Sequence, residues 1–259
     1  GGHDFSLFNR TSEIYKGNIE DEVIVSVFLS NSEHTAVVTS GGRYSNVIYV
    51  YDGSGKWLYT QRFIDDNVMQ AVFSDDNRYL YVTRVTSDNG DIVTKLSKYD
   101  LSGDGTELWS QSLSDCVSLA LGIDGNTLTV TGDNITSTYN SDSGEIIGSY
   151  GYQEKIENFD TSSSLKVFVF DDYTDDGKKI VLLNDKCEMT ASVAVSADVK
   201  QIKVSGNSIF VMTESDITQY DSTLKSVKKT LLTDSYSDFI TVGGSVLLMG
   251  YDVVDSISL

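Results

Sequence analysis

Proline is absent from this chain. Its loops must turn with Gly, Asn, Asp and Ser, the residues that suit tight hairpins. Cysteine occurs twice, as Cys116 and Cys187, with no C-x-x-C and no metal-ligand spacing around either. Two buried free thiols are favoured over a bridge. Histidine is equally scarce. His3 lies near the terminus and His34 in the turn "SNSEHT", and neither has a flanking partner that would make a metal site. A Ser-His-Asp arrangement needs a positioned base, which these two are poorly placed to supply. No apolar run approaches the ~18 residues of a membrane-spanning helix. No export signal is visible. The opening Gly1-Gly2 reads as the edge of a cut, compatible with a signal or anchor upstream.

Basic residues are few for the acids present. Nineteen Lys and Arg face 38 Asp and Glu, a formal charge of −19. Such a surface repels phosphate backbones and anionic lipid, so nucleic acid is excluded as a partner and this segment is not expected to insert into a membrane. Cations, basic proteins, and neutral ligands such as sugars stay open. What the chain has in quantity is strand-forming material, with 15 Tyr and 10 Phe alongside Val, Ile and Thr.

That material is written as a repeat. An alternating strand ends in a bulky residue and then Asp or Asn at Asn9, Asp52, Asp100, Asn140, Asn184 and Asp221. Successive anchors lie about 37 to 48 residues apart, and the step from Asp221 round to Asn9 falls in the same range. Each repeat reads as four short strands, for example "VMQAVFS", "RYLYVTRV", "TKLSKYD" and "ELWSQSL". The first strand is the most apolar and the fourth the most polar. Four-stranded repeats of about 40 to 45 residues are the signature of a β-propeller blade. The expectation is a single all-β domain over residues 1–259, a six-bladed propeller of four-stranded antiparallel blades. The blades run over 23–63, 68–113, 117–151, 155–195 and 199–232. The sixth combines 238–251 with 4–18, so that strands from both termini close the ring. The tail "DVVDSISL" is a competitor for the third place in that last blade. The Asp or Asn anchors are placed to accept nearby backbone N–H groups and shape the outer turns.

The segments "YDLSGDGTELWSQSL" and "YDGSGKWLYTQRF" resemble the outer hairpin of quinoprotein-like propellers, and "FSDDNRYLYVTR" resembles the inner pair of YVTN and WD-type repeats. The texture of the chain is similar to propeller domains of clostridial Firmicutes that follow one N-terminal transmembrane helix. The resemblance implies the fold and an outer-surface location, and no activity. Quinoprotein dehydrogenases carry adjacent cysteines, whereas Cys116 and Cys187 are far apart in sequence. The Trp-Asp pair of WD repeats does not occur, and Gly-His occurs once, at Gly2-His3, and does not recur with the repeat.

No catalytic residue is assigned. Aromatics on loops of a rigid scaffold are the better ligand candidates, so Arg43 and Tyr44 of "SGGRYSN" and Tyr173 of "DDYTDD" are candidate ligand-binding residues. Trp57 and Trp109 fall at matching places on fourth strands and are read as packing between blades. No cofactor is expected except that Asp171, Asp172, Asp175 and Asp176 around Gly177 make a candidate Ca2+ loop. Its spacing departs from the EF-hand pattern. The loops leaving fourth strands and those joining second to third strands hold nearly half of the acids, with Arg43 almost the only base among them. Mutual repulsion there is expected to raise carboxyl pKa values. The functional expectation is a monomeric, non-catalytic binding or scaffold module of the cell surface, taking a protein, peptide or glycan. The alternative is an extracellular carboxylate-dependent hydrolase or lyase acting on glycans.

Overall fold

The computed structural model describes residues 2–9, 11–103, 105–172, 177–242 and 245–258. Every regular element in them is a β-strand, and every pairing described below is antiparallel. Among the described residues no helix is long and apolar enough to cross a membrane.

The chain divides into two compact units, residues 1–132 with 140–145, and residues 133–139 with 146–259. The first unit begins with a hairpin of β1 (Asp4–Phe8) and β2 (Glu13–Asn18). A sheet follows in the order β3 (Val23–Leu29), β4 (Thr35–Gly41), β5 (Tyr44–Tyr51) and β6 (Trp57–Phe63). The next comprises β7 (Asn67–Phe73), β8 (Tyr79–Asp88), β9 (Asp91–Asp100) and β10 (Glu107–Ser114). The sheet of β11 (Ser118–Asp124), β12 (Thr127–Gly132), β13 (Ile135–Asn140) and β14 (Ile146–Gly151) is divided. Its first hairpin and the turn 140–145 belong to the first unit, and β13 and β14 fall almost wholly in the second. The second unit continues with β15 (Lys155–Asp160), β16 (Lys166–Asp172), β17 (Gly177–Leu183) and β18 (Met189–Val195). Then come β19 (Gln201–Ser205), β20 (Ser208–Met212), β21 (Asp216–Tyr220) and β22 (Ser226–Leu231). It ends in three strands, β23 (Asp238–Val242), β24 (Ser245–Met249) and β25 (Val254–Ser258).

The expected closing sheet does not form. β1 pairs with β2 in a sheet of two, and the place beside β24 is taken by β25, in register from Ser245↔Ser258 to Met249↔Val254. The described residues thus form seven sheets, not six blades with a jointly built sixth. The reason lies in chain connectivity. β25 follows β24 through residues 250–253, where the Gly250 N–H donates to the Val253 carbonyl at 2.9 Å. Closing that turn costs far less chain entropy than bringing in a strand from the other terminus.

Burial also departs from the expected gradient. The second and third strands, not the first, are the most buried: β4, β12 and β20 are almost wholly enclosed. Their alternate side chains serve different cores. In β16, Val167 and Val169 join Ile202, Ile209 and Val211, while Phe168 and Phe170 join Tyr152, Val181 and Leu183. A strand buried on both faces reads as a continuous apolar run, which explains "KVFVF" and "KKIVLL". β3 is apolar yet exposed. It is the edge of its sheet, and Val23, Val25, Val27 and Leu29 all face out at 39–57% exposure.

The outer turns behave as the anchors suggest. Asp52 Oδ1 accepts the Ser54 and Lys56 N–H groups at 2.9 and 3.0 Å. Asn140, Asn184 and Asp221 take the same part, each accepting two N–H groups from the turn that follows. Asn9 does so between β1 and β2. Asp100 Oδ1 accepts the Ser102 N–H and hydroxyl. In the first unit each of three such turns also seats an aromatic ring of the last strand of the preceding sheet over a glycine with φ in the left-handed region. Tyr15 lies on Gly55, Tyr59 on Gly105 and Trp109 on Gly144. Sheets are therefore keyed to their neighbours by backbone that carries no Cβ.

Candidate functional site

The residues singled out from the sequence do not converge. Arg43 sits in the two-residue turn between β4 and β5, with Gly42 at φ 64. Tyr44 is the first residue of β5 rather than a loop residue, and its ring is flanked by the Arg43 and Arg62 guanidiniums at 6.0 and 5.8 Å. Tyr173, Asp175, Asp176 and the side chain of Asp172 lie outside the described residues. Asp171 stands within β16, in register with Lys155 and Lys178. Among the described residues no group of three or more His, Cys, Asp and Glu could hold a metal ion. Both thiols are free and buried. Burial pushes the Cys187 thiol above its usual range. Trp57 is exposed at the start of β6, and the residue that matches Trp109 in structure is Tyr59.

The loop acids are less bare than the sequence suggests, because bases reach them from strands. Arg84 of β8 bridges Asp66 at 3.1 Å, and Lys178 of β17 bridges Glu157 and Asp198 at 2.5 and 2.7 Å. Lys179 meets Glu154, and Lys200 meets Glu214. Repulsion therefore does not dominate at these positions. Hydrogen bonds from Lys179 and Lys178 hold the Glu154 and Asp198 carboxyls below their ordinary range, the reverse of the expected rise.

Each unit has a cleft of its own. In the first, Ser74, Asp76, Tyr79, Tyr81, Asn126 and Asp142 are among the residues lining a space of about 190 Å³. Its aromatic floor is already occupied. The almost fully buried Lys98 ammonium lies 3.9 Å from the Tyr79 ring centroid and 5.6 Å from that of Tyr81, and reaches Asp142 Oδ1 at 3.4 Å. A cation held over aromatic faces is satisfied there, so these two rings already have their cation while the cleft itself stays open.

The second unit holds a pocket of about 240 Å³ between the β18–β19 connection and the sheet β19–β22. One wall is aliphatic, from Ala194, Val195, Ala197, Val199 and Val211. The other is an ordered polar face. Asp216, Thr218 and Tyr220 alternate along β21, so their side chains share one side of the strand. Thr218 stands opposite Lys229 of β22. This register brings the Lys229 ammonium to Asp216 Oδ2 at 2.9 Å. The Ser215 hydroxyl donates to Oδ2 and the Thr218 hydroxyl to Oδ1, both at 3.1 Å. Asp216 is 7% exposed. Burial pushes its carboxyl up, and the Lys229, Ser215 and Thr218 donors more than reverse this, so it stays below the usual carboxylate range. Thr213 Oγ1 accepts the Ser215 and Asp216 N–H groups and fixes the turn into β21. No local motif marks this site. Asp216 and Lys229 are 13 positions apart on different strands, and only the β21–β22 register joins them.

Solved structures share the fold. The chain is similar to the Dos1 propeller, at 13% identity and TM-score 0.62, covering 92% of this chain and 68% of that one. It is similar to Hsv2p of Kluyveromyces lactis at 15% identity and TM-score 0.58, covering 90% and 72%. It is also similar to the dihydro-heme d1 dehydrogenase NirN, solved with its ligand DHE, at 13% identity and TM-score 0.62, covering 96% of this chain but 56% of that one. At such identities the likeness shows the β-propeller fold alone, shared by an enzyme and by proteins not described as enzymes. No curated protein matches the sequence. A family model matches residues 1–259 in full, and the chain belongs to that family of unknown function, DUF5711.

Proposed function

We propose that the protein is a non-catalytic binding module that works through the Asp216–Lys229 pocket. The observation that carries this is the make-up of the pocket: a preformed aliphatic wall facing one buried, fully ionised carboxylate. Ligand sites are commonly apolar with a few placed polar groups. A carboxyl held ionised below its ordinary range is a poor proton donor or acceptor near neutral pH, and the surrounding hydroxyls already donate to it. The pocket suits holding a small ligand or a side chain of a protein or peptide better than hydrolysing a glycan. Display at the cell surface, behind an upstream anchor, is part of the same reading and is supported by the repeat resemblance and by an acidic surface suited to exposure. Protease treatment of intact cells should remove the protein, whereas protection would remove the surface assignment.

A methyl-detected NMR screen of small branched fragments tests the site. Hits should shift Val195, Val199 and Val211 methyl signals and vanish in Ala194→Trp, whose bulk closes the exposed rim of the pocket. Hits that gather elsewhere, or that persist in Ala194→Trp, would transfer the function to another surface.

A further inference from the structure

We propose that this pocket receives a free aliphatic α-amino acid in its zwitterionic form, an inference that rests on the binding-module reading above. The polar face has capacity left for one charge of each sign. A carboxylate offers about four acceptor positions, and Asp216 uses three, for Thr218, Ser215 and Lys229. The remaining position is on Oδ1, the oxygen that Lys229 does not touch. Lys229 carries three N–H donors, of which one is committed to Asp216, and its side chain is 58% exposed and able to swing. An incoming ammonium can take the open Oδ1 position while an incoming carboxylate takes the two open Lys229 donors. The resident ion pair need not break.

Charge decides between ligand classes. A lone cation at the open Oδ1 position would leave two positive charges on one carboxylate. A lone anion would approach Asp216 with no donor of its own. A ligand carrying both charges on neighbouring atoms adds two charge-assisted bonds and leaves the local charge unchanged. The rest of the ligand meets Val195 and Val199, which offer half-buried apolar surface and no polar partner. A charged or strongly polar side chain would be desolvated there without compensation. A branched aliphatic side chain is the one that gains.

Calorimetry on the full chain tests this with L-leucine and L-valine, set against N-acetyl-leucine, leucinamide and L-glutamate. Leucine should bind. Removing the ammonium (N-acetyl-leucine) or the carboxylate (leucinamide) should each weaken binding at least 10-fold, and glutamate should not bind measurably. Lys229→Met leaves the buried Asp216 carboxylate with its two hydroxyl donors alone, so its fold is checked by circular dichroism before titration, and it should lose leucine at least 10-fold. Ala194→Trp should abolish binding. No leucine binding would overturn the inference, as would equal affinity for N-acetyl-leucine or an unaltered affinity in Lys229→Met. If branched fragments still enter the pocket in the NMR screen while leucine does not, the amino-acid assignment falls and the binding module stands. If neither enters, both fall.

Discussion

At the scale of single residues, two kinds of glycine separate by what surrounds them. Gly42 and Gly105 both have φ in the left-handed region, at 64 and 75. A Cβ on Gly42 would meet nothing within 4 Å, whereas one on Gly105 would lie 1.6 Å from Tyr59 Cε2. Gly42→Ala should cost only the left-handed backbone penalty, about 1 kcal/mol. Gly105→Ala adds displacement of a buried tyrosine whose hydroxyl donates to the Gly105 carbonyl at 3.0 Å, and should cost about 3 kcal/mol or more. Urea titrations of the two variants compare them directly, and equal losses would mean that the Tyr59 seat is unimportant. Lys98 makes the opposite point. Its partner Asp142 has a side chain 72% exposed, so Lys98→Met leaves no buried charge unpaired and keeps the aliphatic stem packed. The expected change is within about 1 kcal/mol, despite the burial of the ammonium. A loss of several kcal/mol in the same titration would show the cation to be essential to the cleft.

At the scale of elements, the outer hairpin was the most legible part of the sequence. Asp and Asn close a turn by accepting N–H groups from the residues that follow, so Asn9, Asp52, Asp100, Asn140, Asn184 and Asp221 could be read from local text alone. Pairing between distant segments could not. β25 won its place beside β24 through a short connection, and nothing in "DVVDSISL" itself encodes a neighbour. The aromatic seats were half visible. Trp109 stands out in its strand, but its true counterparts Tyr15 and Tyr59 show only with Gly55, Gly105 and Gly144 beneath the rings. The carboxylate anchors also make a pH prediction. The Ser54, Ser102 and Thr223 hydroxyls, with neighbouring N–H groups, hold Asp52, Asp100 and Asp221 below their ordinary range. A carboxyl lowered in the folded state contributes stability that is full above the unfolded value of about 3.9 and is lost as pH falls through the folded value. Asn at the same positions keeps the turn and does not titrate, as Asn140 already shows. The triple variant Asp52→Asn, Asp100→Asn, Asp221→Asn should therefore lose less stability than the wild type between pH 5 and 2.5 in urea titrations. Parallel pH curves would mean that these anchors do not contribute to acid sensitivity.

At the scale of the molecule, the charge of −19 and the ion pairs pull in opposite directions. Self-repulsion destabilises a compact acidic chain, and added salt relieves it. Salt also weakens bridges such as Lys178–Asp198, in which the aspartate side chain is 92% exposed, and Lys229–Asp216, in which the lysine is the exposed partner. Exposed pairs contribute about 0–1 kcal/mol each, and the bases available to make them are half as many as the acids. Repulsion among the unpaired acids should therefore be the larger effect. The melting temperature should rise with sodium chloride, most steeply up to about 0.1 M, where the screening length has already fallen to roughly 10 Å. Sodium chloride series at constant pH, followed by circular dichroism, give the sign. A fall with salt would mean that the strand-borne Arg and Lys residues outweigh the excess acid, making the ion pairs around the loop acids the dominant electrostatic feature of the fold.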